Sequence, residues 1–208
     1  MAVIQNINQL SETQSKQLIQ ELKALDHLLD KRVDFVVKQT ASSLSESLEY
    51  VVMSSPALWA KVYLNWTCRD YQIEIMNQGK KSKSTVLRLG RRLGKTDSMC
   101  VLILWHAYTQ INKGPNNQYD ILIITPYETQ VNLIFDRLHQ LIDISPLLQG
   151  MISRDIHHRI ELSNGTKIIG LTAGSKSGSG AANTRGQRAD LIVLDEVDET
   201  YIVHYKLR

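Results

Sequence analysis

The sequence predicts an α/β protein with a mostly parallel central sheet flanked by helices, plus an N-terminal helical region. Two apolar runs, at residues 121–124 and 191–194, are typical of strands that are buried on both faces. Between them, residues 128–142 carry apolar side chains at helical spacing, and strands that alternate with helices imply a parallel sheet. With 208 residues, 43% of them hydrophobic, the chain can bury one sizeable core.

The N-terminal region, residues 1–55, is predicted to be helical and to have no chemistry of its own, whereas residues 56–208 form the core domain. Ser11 and Gln14 have the spacing of a capping box. The apolar face of the helix they begin comprises Ile19, Leu22, Leu25, Leu28 and Leu29. A second helix is predicted over residues 45–53. A third, aromatic-rich core helix carries Leu58, Trp59, Val62, Tyr63 and Trp66.

A short polar element, Arg69-Asp70-Tyr71-Gln72, precedes a helix that runs into the basic segment at residues 79–84. An amide and an aromatic ring on neighbouring residues suit the recognition of a flat base. Gln72 would lie against the edge of an adenine and Tyr71 against its face.

A phosphate-binding turn is predicted at Gly90-Arg91-Arg92-Leu93-Gly94-Lys95-Thr96, between a buried strand at residues 86–89 and a helix at residues 97–110. Gly94 lets the backbone approach an anion, so that successive N–H groups and the helix start cradle a polyphosphate. Lys95 would reach the β- and γ-phosphates, and Thr96 would offer its hydroxyl to Mg²⁺. The usual pattern has its first glycine at position 89, where this chain has Leu89.

The middle of the chain is predicted to continue with a polar turn region at residues 112–120, a strand that ends at Thr125-Pro126, and the helix at residues 128–142. Two short strands, at residues 158–162 and 166–171, are joined by Asn164-Gly165 and form an antiparallel edge ribbon. His157 and His158 would point to opposite faces of that strand, and the sequence offers them no carboxylate or cysteine partner at ligand spacing. Each is therefore expected to be solvent-exposed or hydrogen-bonded within the protein rather than a metal ligand.

Residues 174–186 are too rich in Gly and Ser to form an element, so we predict a functional loop. The strand at residues 191–194 follows and ends in Asp195 and Glu196. Asp195 would hold Mg²⁺ together with Thr96, and Glu196 would orient or deprotonate the water that attacks the γ-phosphate. Arg91 in the turn and Arg185 in the loop are the candidates for stabilising the transition state.

Composition limits the remaining choices. A net charge of +3 and a pI near 8.8 are compatible with a polyanionic partner without requiring one. Cys68 and Cys100 lack metal-ligand or disulfide spacing, which favours a reducing compartment and argues against a thiol nucleophile. No apolar run is long enough to span a bilayer, and the N-terminus lacks a signal-peptide pattern, so the expectation is an intracellular protein without a membrane partner.

Four of these segments resemble the N-terminal ATPase domain of the large terminase subunit of tailed bacteriophages. Arg69-Asp70-Tyr71-Gln72 is similar to the adenine-binding Q motif of that family, and the turn that begins at Gly90 is similar to its deviant phosphate loop. Residues 184–190, running into residues 191–196, resemble its Arg-Gly segment and Asp-Glu box, and residues 123–126 resemble its strand-end motif.

The resemblance implies a P-loop NTPase of the ASCE type that uses ATP and Mg²⁺ to move double-stranded DNA into a procapsid. It implies as partners the small terminase subunit, the portal protein and further copies in a ring. The location would be the host cytoplasm, transiently at the procapsid portal. It allows Arg185 to act on a neighbouring subunit. The chain stops before the family's nuclease domain, so it is expected to be truncated and to lack nuclease activity. The residues assigned to ATP are Tyr71, Gln72, Gly90, Arg91, Arg92, Leu93, Gly94, Lys95 and Thr96.

Two other functions remain open at this point. A helicase of the related two-lobed class would share these motifs, and Asp195-Glu196-Val197-Asp198 fits its longer box. A nucleotide-binding assembly module that hydrolyses little would need the loop but not Glu196. DNA contacts would be electrostatic and independent of base sequence, with Lys80, Lys81, Lys83 and Lys176 as candidates.

Overall fold

The computed structural model describes residues 11–24, 44–82, 84–90, 92–109, 118–173 and 188–196. The chain divides into two compact units. One comprises Met1–Leu102 with Ile144–Leu147, and the other comprises Ile103–Asp143 with Leu148–Arg208. The predicted division between residues 55 and 56 stays a prediction.

The first unit is built on helices, which we number along the chain. They are α1 (Glu12–Ala24), α2 (Leu44–Ser54), α3 (Pro56–Tyr63), α4 (Asp70–Lys81) and the start of α5 (Lys95–Thr109). The capping box is confirmed, because the Gln14 N–H donates to Ser11 Oγ and the Ser11 N–H donates to Gln14 Oε1. In α1, Leu18 is buried and Ile19 half-buried. The remaining side chains of the predicted face lie outside the described residues.

Helix α3 is a core element, as predicted. Ser55 caps its first turn by accepting a hydrogen bond from the Leu58 N–H, and Pro56 stands at the position where a helix needs no N–H donor. All its residues except Lys61 are buried, and the rings of Trp59 and Tyr63 lie 5.8 Å apart. Trp66 falls beyond the end of the helix and is only half-buried.

The predicted buried strand before the phosphate loop is wrong. Residues 84–90 form no strand, and Val86 is 92% exposed. The prediction was based on apolar side chains, but a strand also needs neighbours that complete its backbone hydrogen bonds. Leu87 and Leu89 are half-buried without such a ladder.

The second unit contains a five-stranded sheet. Its strands are β1 (Tyr119–Thr125), β2 (Ile152–Ile156), β3 (Arg159–Leu162), β4 (Thr166–Thr172) and β5 (Leu191–Leu194), in the order β2-β3-β4-β1-β5. Strands β4, β1 and β5 are parallel, whereas β2, β3 and β4 are antiparallel. The described sheet is therefore mixed rather than mostly parallel.

The second unit also contains the rest of α5 and most of two further helices, α6 (Glu128–Ile144) and α7 (Pro146–Met151). The predicted apolar face of α6 is confirmed, since its five members are buried: Val131, Ile134, Phe135, Leu138 and Leu141. Helix α6 packs closely on β4 at Gly170, where an added Cβ would lie 2.5 Å from Val131 Cγ1 and 2.7 Å from Phe135 Cε2. Only a residue without a side chain allows that approach.

Strand burial follows position in the sheet. Strand β1 is buried along its whole length, as expected for a strand with parallel neighbours on both sides. Strand β5 is only half-buried, which corrects the prediction of burial on both faces, because it stands at the edge of the described sheet. Strand β1 also begins at Tyr119, inside the predicted turn region.

The hairpin of β3 and β4 is confirmed, but its turn differs in detail. Only Gly165 has a positive φ, of 86°. Asn164 instead donates from its amide to Ala107 O of α5 at 2.9 Å and accepts from the Thr166 N–H. The true edge strand on this side is β2, which was not predicted because its exposed sequence Ile-Ser-Arg-Asp-Ile carries few apolar residues.

None of the helices in the described parts of the chain is long and apolar enough to cross a membrane.

Candidate nucleotide-binding site

The predicted phosphate loop has an unusual backbone. Arg92 has a φ of 64° and Gly94 a φ of 65°, so two left-handed residues lie within three positions of each other. Helix α5 begins at Lys95, directly after them. The first N–H groups of a helix have no partner within it, and left-handed residues turn neighbouring N–H groups towards one side. This backbone has the form of an anion-binding turn.

Gly94 is held in place through its carbonyl and has little free space at its Cα. Its carbonyl accepts from the Ser98 N–H and the Ser98 hydroxyl, each at 3.0 Å, and Ser98 is fully buried. A Cβ at Gly94 would lie 2.6 Å from Gln72 Nε2 and 3.5 Å from Asp97 Oδ2. Position 94 therefore favours glycine for its φ, and an added Cβ would in addition displace the Gln72 amide.

Lys95 and Thr96 form the first turn of α5, followed by Asp97, and all three are half-buried. Gly90, Arg92 and Leu93 are exposed. The predicted ATP residues that the structure describes in this loop are therefore exposed or half-buried, and none of them is fully buried. Arg91 lies outside the described residues.

Tyr71 and Gln72 contact the phosphate loop itself. The Tyr71 hydroxyl donates to Leu93 O at 2.9 Å, and Gln72 Nε2 lies 3.5 Å from Gly94 O. Gln72 is buried, and its Oε1 accepts from the Arg69 N–H at 2.9 Å, which caps α4. These side chains brace the loop, a role that sequence reasoning missed because nothing in the pattern links residues 22 positions apart. Their contact with an adenine stays a prediction.

Asp195 and Glu196 lie in the second unit, where β5 ends. The Asp195 N–H donates to Ile124 O at 3.2 Å, which continues the parallel pairing of β5 with β1 for one more residue. Both carboxylates therefore follow the carboxyl end of a parallel strand, where open α/β sheets bind their ligands. Asp195 is half-buried and Glu196 exposed.

The backbone turns sharply at Glu196, whose φ is 52°. Its N–H donates to Asp195 Oδ1 at 3.1 Å, and its carboxylate accepts a hydrogen bond from Gln130 Nε2 of α6. The roles of Asp195 as a metal ligand and of Glu196 as a base stay predictions. Gln130 was not predicted from the sequence.

The loop with Lys95 and Thr96 belongs to the first unit, and Asp195 with Glu196 belongs to the second. Their meeting around one nucleotide stays a prediction. Arg185, Lys83 and Lys176 lie outside the described residues. Lys80 contacts the Ser54 carbonyl.

The prediction that the cysteines are not nucleophiles can be compared with the structure at Cys68. Burial raises the pKa of the Cys68 thiol to about 12, and its Sγ lies 3.9 Å from Met76 Sδ. The thiol is therefore protonated at neutral pH, which suits a packing residue and not a nucleophile.

The prediction that His157 and His158 point to opposite faces without a carboxylate neighbour is wrong. The prediction of exposed or hydrogen-bonded histidines is confirmed, since His157 is exposed and His158 Nε2 is hydrogen-bonded to Asn132 Oδ1. Their rings stack with centroids 3.8 Å apart, and Glu128 of α6 lies beside them. The two histidines are the turn residues between β2 and β3, and His157 has a φ of 46°. The strand alternation that would separate them does not apply inside a turn. Burial lowers the pKa of His158, and the neighbouring His157 adds to the effect.

The described helices and the mixed five-stranded sheet define the class of fold, which is α/β. No family model matches the sequence, and no curated protein matches it. Solved structures do match, and two of them come from phage terminases. The large terminase of bacteriophage HK97 gives a TM-score of 0.50 at 18% identity, over 63% of this chain and 27% of that one.

The second structure is a mutant ATPase domain of the large terminase of Thermus phage P74-26. It gives a TM-score of 0.50 at 19% identity, over 64% of this chain and 55% of that one. The chain thus spans about a quarter and about half of the lengths of these two proteins. The resemblance to large terminase ATPase domains is confirmed at the level of the fold.

Proposed function

We propose that this chain is an ATPase motor domain of a terminase-like machine, which couples ATP hydrolysis to the translocation of double-stranded DNA into a procapsid. The observation that carries the proposal is the left-handed backbone at Arg92 and Gly94 directly before α5. It supports a phosphate-binding loop in a chain whose fold is that of terminase ATPase domains.

In this proposal the loop N–H groups and Lys95 bind the phosphates, and Glu196 orients and deprotonates the attacking water. The Gln130 amide donates a hydrogen bond to the Glu196 carboxylate. In this proposal, that hydrogen bond orients the carboxylate to accept a proton from the water. Tyr71 and Gln72 maintain the loop by binding its carbonyls, and contact the base as well. Arg91 or Arg185 stabilises the charge of the transition state, Arg185 from a neighbouring subunit.

The donors assigned to Mg²⁺ fit that ion. Thr96 supplies a hydroxyl and Asp195 a carboxylate, and oxygen ligands of this kind are the ones Mg²⁺ selects in nucleotide sites. Neither residue is buried, so both can reach a hydrated ion. When bound, Mg²⁺ would neutralise charge on the phosphates.

The partners follow from the proposed activity. We expect double-stranded DNA to bind through lysines such as Lys80 and Lys81, and ring assembly to occur at a portal with the small terminase subunit. Such contacts are electrostatic and weaken with rising salt.

Magnesium-dependent ATP binding and hydrolysis, measured with and without duplex DNA, test the proposal. Lys95→Ala should weaken ATP binding at least about tenfold, because it removes the phosphate cation. Glu196→Gln should leave binding intact and reduce the hydrolysis rate at least about a hundredfold, because it removes the base.

Lys16→Ala is the control for Lys95→Ala, and Glu74→Gln is the control for Glu196→Gln. Each control removes a charge of the same sign from an exposed residue of a helix. Equal hydrolysis by wild type and Glu196→Gln would contradict a motor and favour a binding module. Unwinding of a tailed duplex would favour the helicase. Unchanged ATP binding in Lys95→Ala would overturn the nucleotide site itself.

A further inference from the structure

A cluster of three metal-ligating side chains lies outside the proposed nucleotide site. Glu128 is the first residue of α6, and His157 and His158 form the turn between β2 and β3. One ligand atom from each residue lies within 4.8 Å of the other two, and His157 Nε2 is 3.8 Å from Glu128 Oε1.

The hairpin turn creates this arrangement. Ile156 pairs with Arg159, which leaves only the two histidines between the strands. The left-handed φ of His157, 46°, brings its ring onto that of His158. Left-handed backbone is unfavourable at a residue with a Cβ, so the turn is kept against a local preference.

One side of the cluster is fixed by packing. The ring of His158 lies 5.6 Å from that of Phe135 in α6, measured between centroids, and its Nε2 is hydrogen-bonded to Asn132 Oδ1. Asn132 stands one helical turn after Glu128, so the same face of α6 supplies the carboxylate and the amide. The absence of a side chain at Gly170 leaves room, because a Cβ there would lie 3.3 Å from the His158 Cβ.

The other side can adjust. The His157 and Glu128 side chains are 70% and 67% exposed. Around a tetrahedral zinc ion, nitrogen and oxygen ligands stand about 3.4 Å apart, given bond lengths near 2.1 Å. Rotation of the two exposed side chains, which has to shorten these separations by up to about 1.4 Å, would therefore close the cluster onto an ion.

We propose that Glu128, His157 and His158 form a binding site for a divalent transition-metal ion of the zinc type. Two imidazoles and one carboxylate suit zinc and its neighbours, whereas Mg²⁺ prefers oxygen ligands alone. With three protein ligands the ion keeps positions for water. The bound ion links the tip of the β2–β3 hairpin to the start of α6. The site is independent of the proposed nucleotide site, because the two share no residue.

Equilibrium dialysis of the whole chain against ZnCl₂, after treatment with a chelator, tests the site. Cobalt(II) absorption in the visible range provides a second readout, since it reports nitrogen ligands in a tetrahedral field. Wild type should bind one ion that Glu128→Gln and His157→Ala each bind at least about tenfold more weakly. Both are exposed positions, so the fold should tolerate the changes.

His139→Ala is the matched control. His139 also lies on α6 and contacts β2, through Asp155 at 3.0 Å, but does not belong to the cluster. It should keep wild-type zinc binding. Equal zinc binding by wild type, Glu128→Gln and His157→Ala would overturn the proposal, as would a parallel loss of binding in His139→Ala. Neither outcome bears on ATP binding, so the proposed function is tested separately.

Discussion

At the scale of single residues, the candidate sites coincide with left-handed backbone. Asn65, Arg92, His157 and Glu196 have positive φ without being glycine among the described residues. Such residues cost of order 1–3 kcal/mol each and persist only where the surroundings hold them. Arg92 lies in the phosphate loop, Glu196 is the proposed base and His157 is a proposed zinc ligand.

Gly94→Ala should distort the phosphate loop. The new Cβ needs a left-handed φ of 65° and meets Gln72 Nε2 at 2.6 Å, so the loop and its brace must separate. We expect ATP binding to weaken by about 1–3 kcal/mol, measured by titration calorimetry. Gly150→Ala is the control, because a Cβ at that position meets nothing within 4 Å. Wild-type affinity in Gly94→Ala would contradict the assigned loop.

Tyr71→Phe separates the two roles of Tyr71. It removes the hydroxyl that binds Leu93 O and keeps the ring that would stack on a base. If Tyr71 braces the loop, affinity for ATP falls by about 0.5–1.5 kcal/mol, the usual net value of a hydrogen bond. If it only stacks on the base, affinity is unchanged. Tyr50→Phe, at a residue 64% exposed, gives the background effect.

At the scale of elements, helices with a clear apolar face were predictable and strand edges were not. In helix α6 the buried side chains recur at helical spacing. This spacing can be recognised in the sequence without knowing which surface the helix packs on. Strand β2 was not predicted, and the strand predicted at residues 86–89 does not form; the reasons are opposite. The first pairs although its side chains are mostly exposed, and the second is apolar but has no strand partner. Strand pairing depends on neighbours that are distant in sequence.

Strand β1 contains one destabilising residue, Asp120. It is buried, and no group in the described part of the chain donates to its Oδ1. Burial raises its pKa above 3.8, partly offset by Lys167. At pH values between the pKa of Asp120 in the unfolded chain and its higher pKa in the folded protein, the folded state binds more protons than the unfolded state. The free energy of unfolding of the wild type therefore falls as the pH rises through that window.

Asp120→Asn removes this penalty. We expect it to stabilise the protein by up to about 1 kcal/mol at pH 7 and by less as the pH falls towards 3.8. Urea unfolding at several pH values measures the difference. Asp136→Asn, at an exposed position on α6, should change stability little at any of them. A variant less stable than wild type at pH 7 would show that the Asp120 carboxylate contributes a favourable contact.

At the scale of the whole molecule, the sequence motifs located the candidate site, because short motifs encode local backbone. The glycine of the phosphate loop and the helix that begins at Lys95 depend on neighbours in sequence, and the apolar run of β5 directly before Asp195 is visible in the sequence as well. The terminase-like fold follows from their order along the chain, and the matched structures confirm that fold.

The sequence by itself therefore determined the α/β class, most helices and the residues of the proposed nucleotide site. Only the tertiary structure decided that Tyr71 and Gln72 hold the phosphate loop, that Gln130 binds Glu196, and that Glu128 joins the two histidines. Each of these contacts joins side chains from separate elements. Their approach depends on packing across the unit, which no local pattern of residues records.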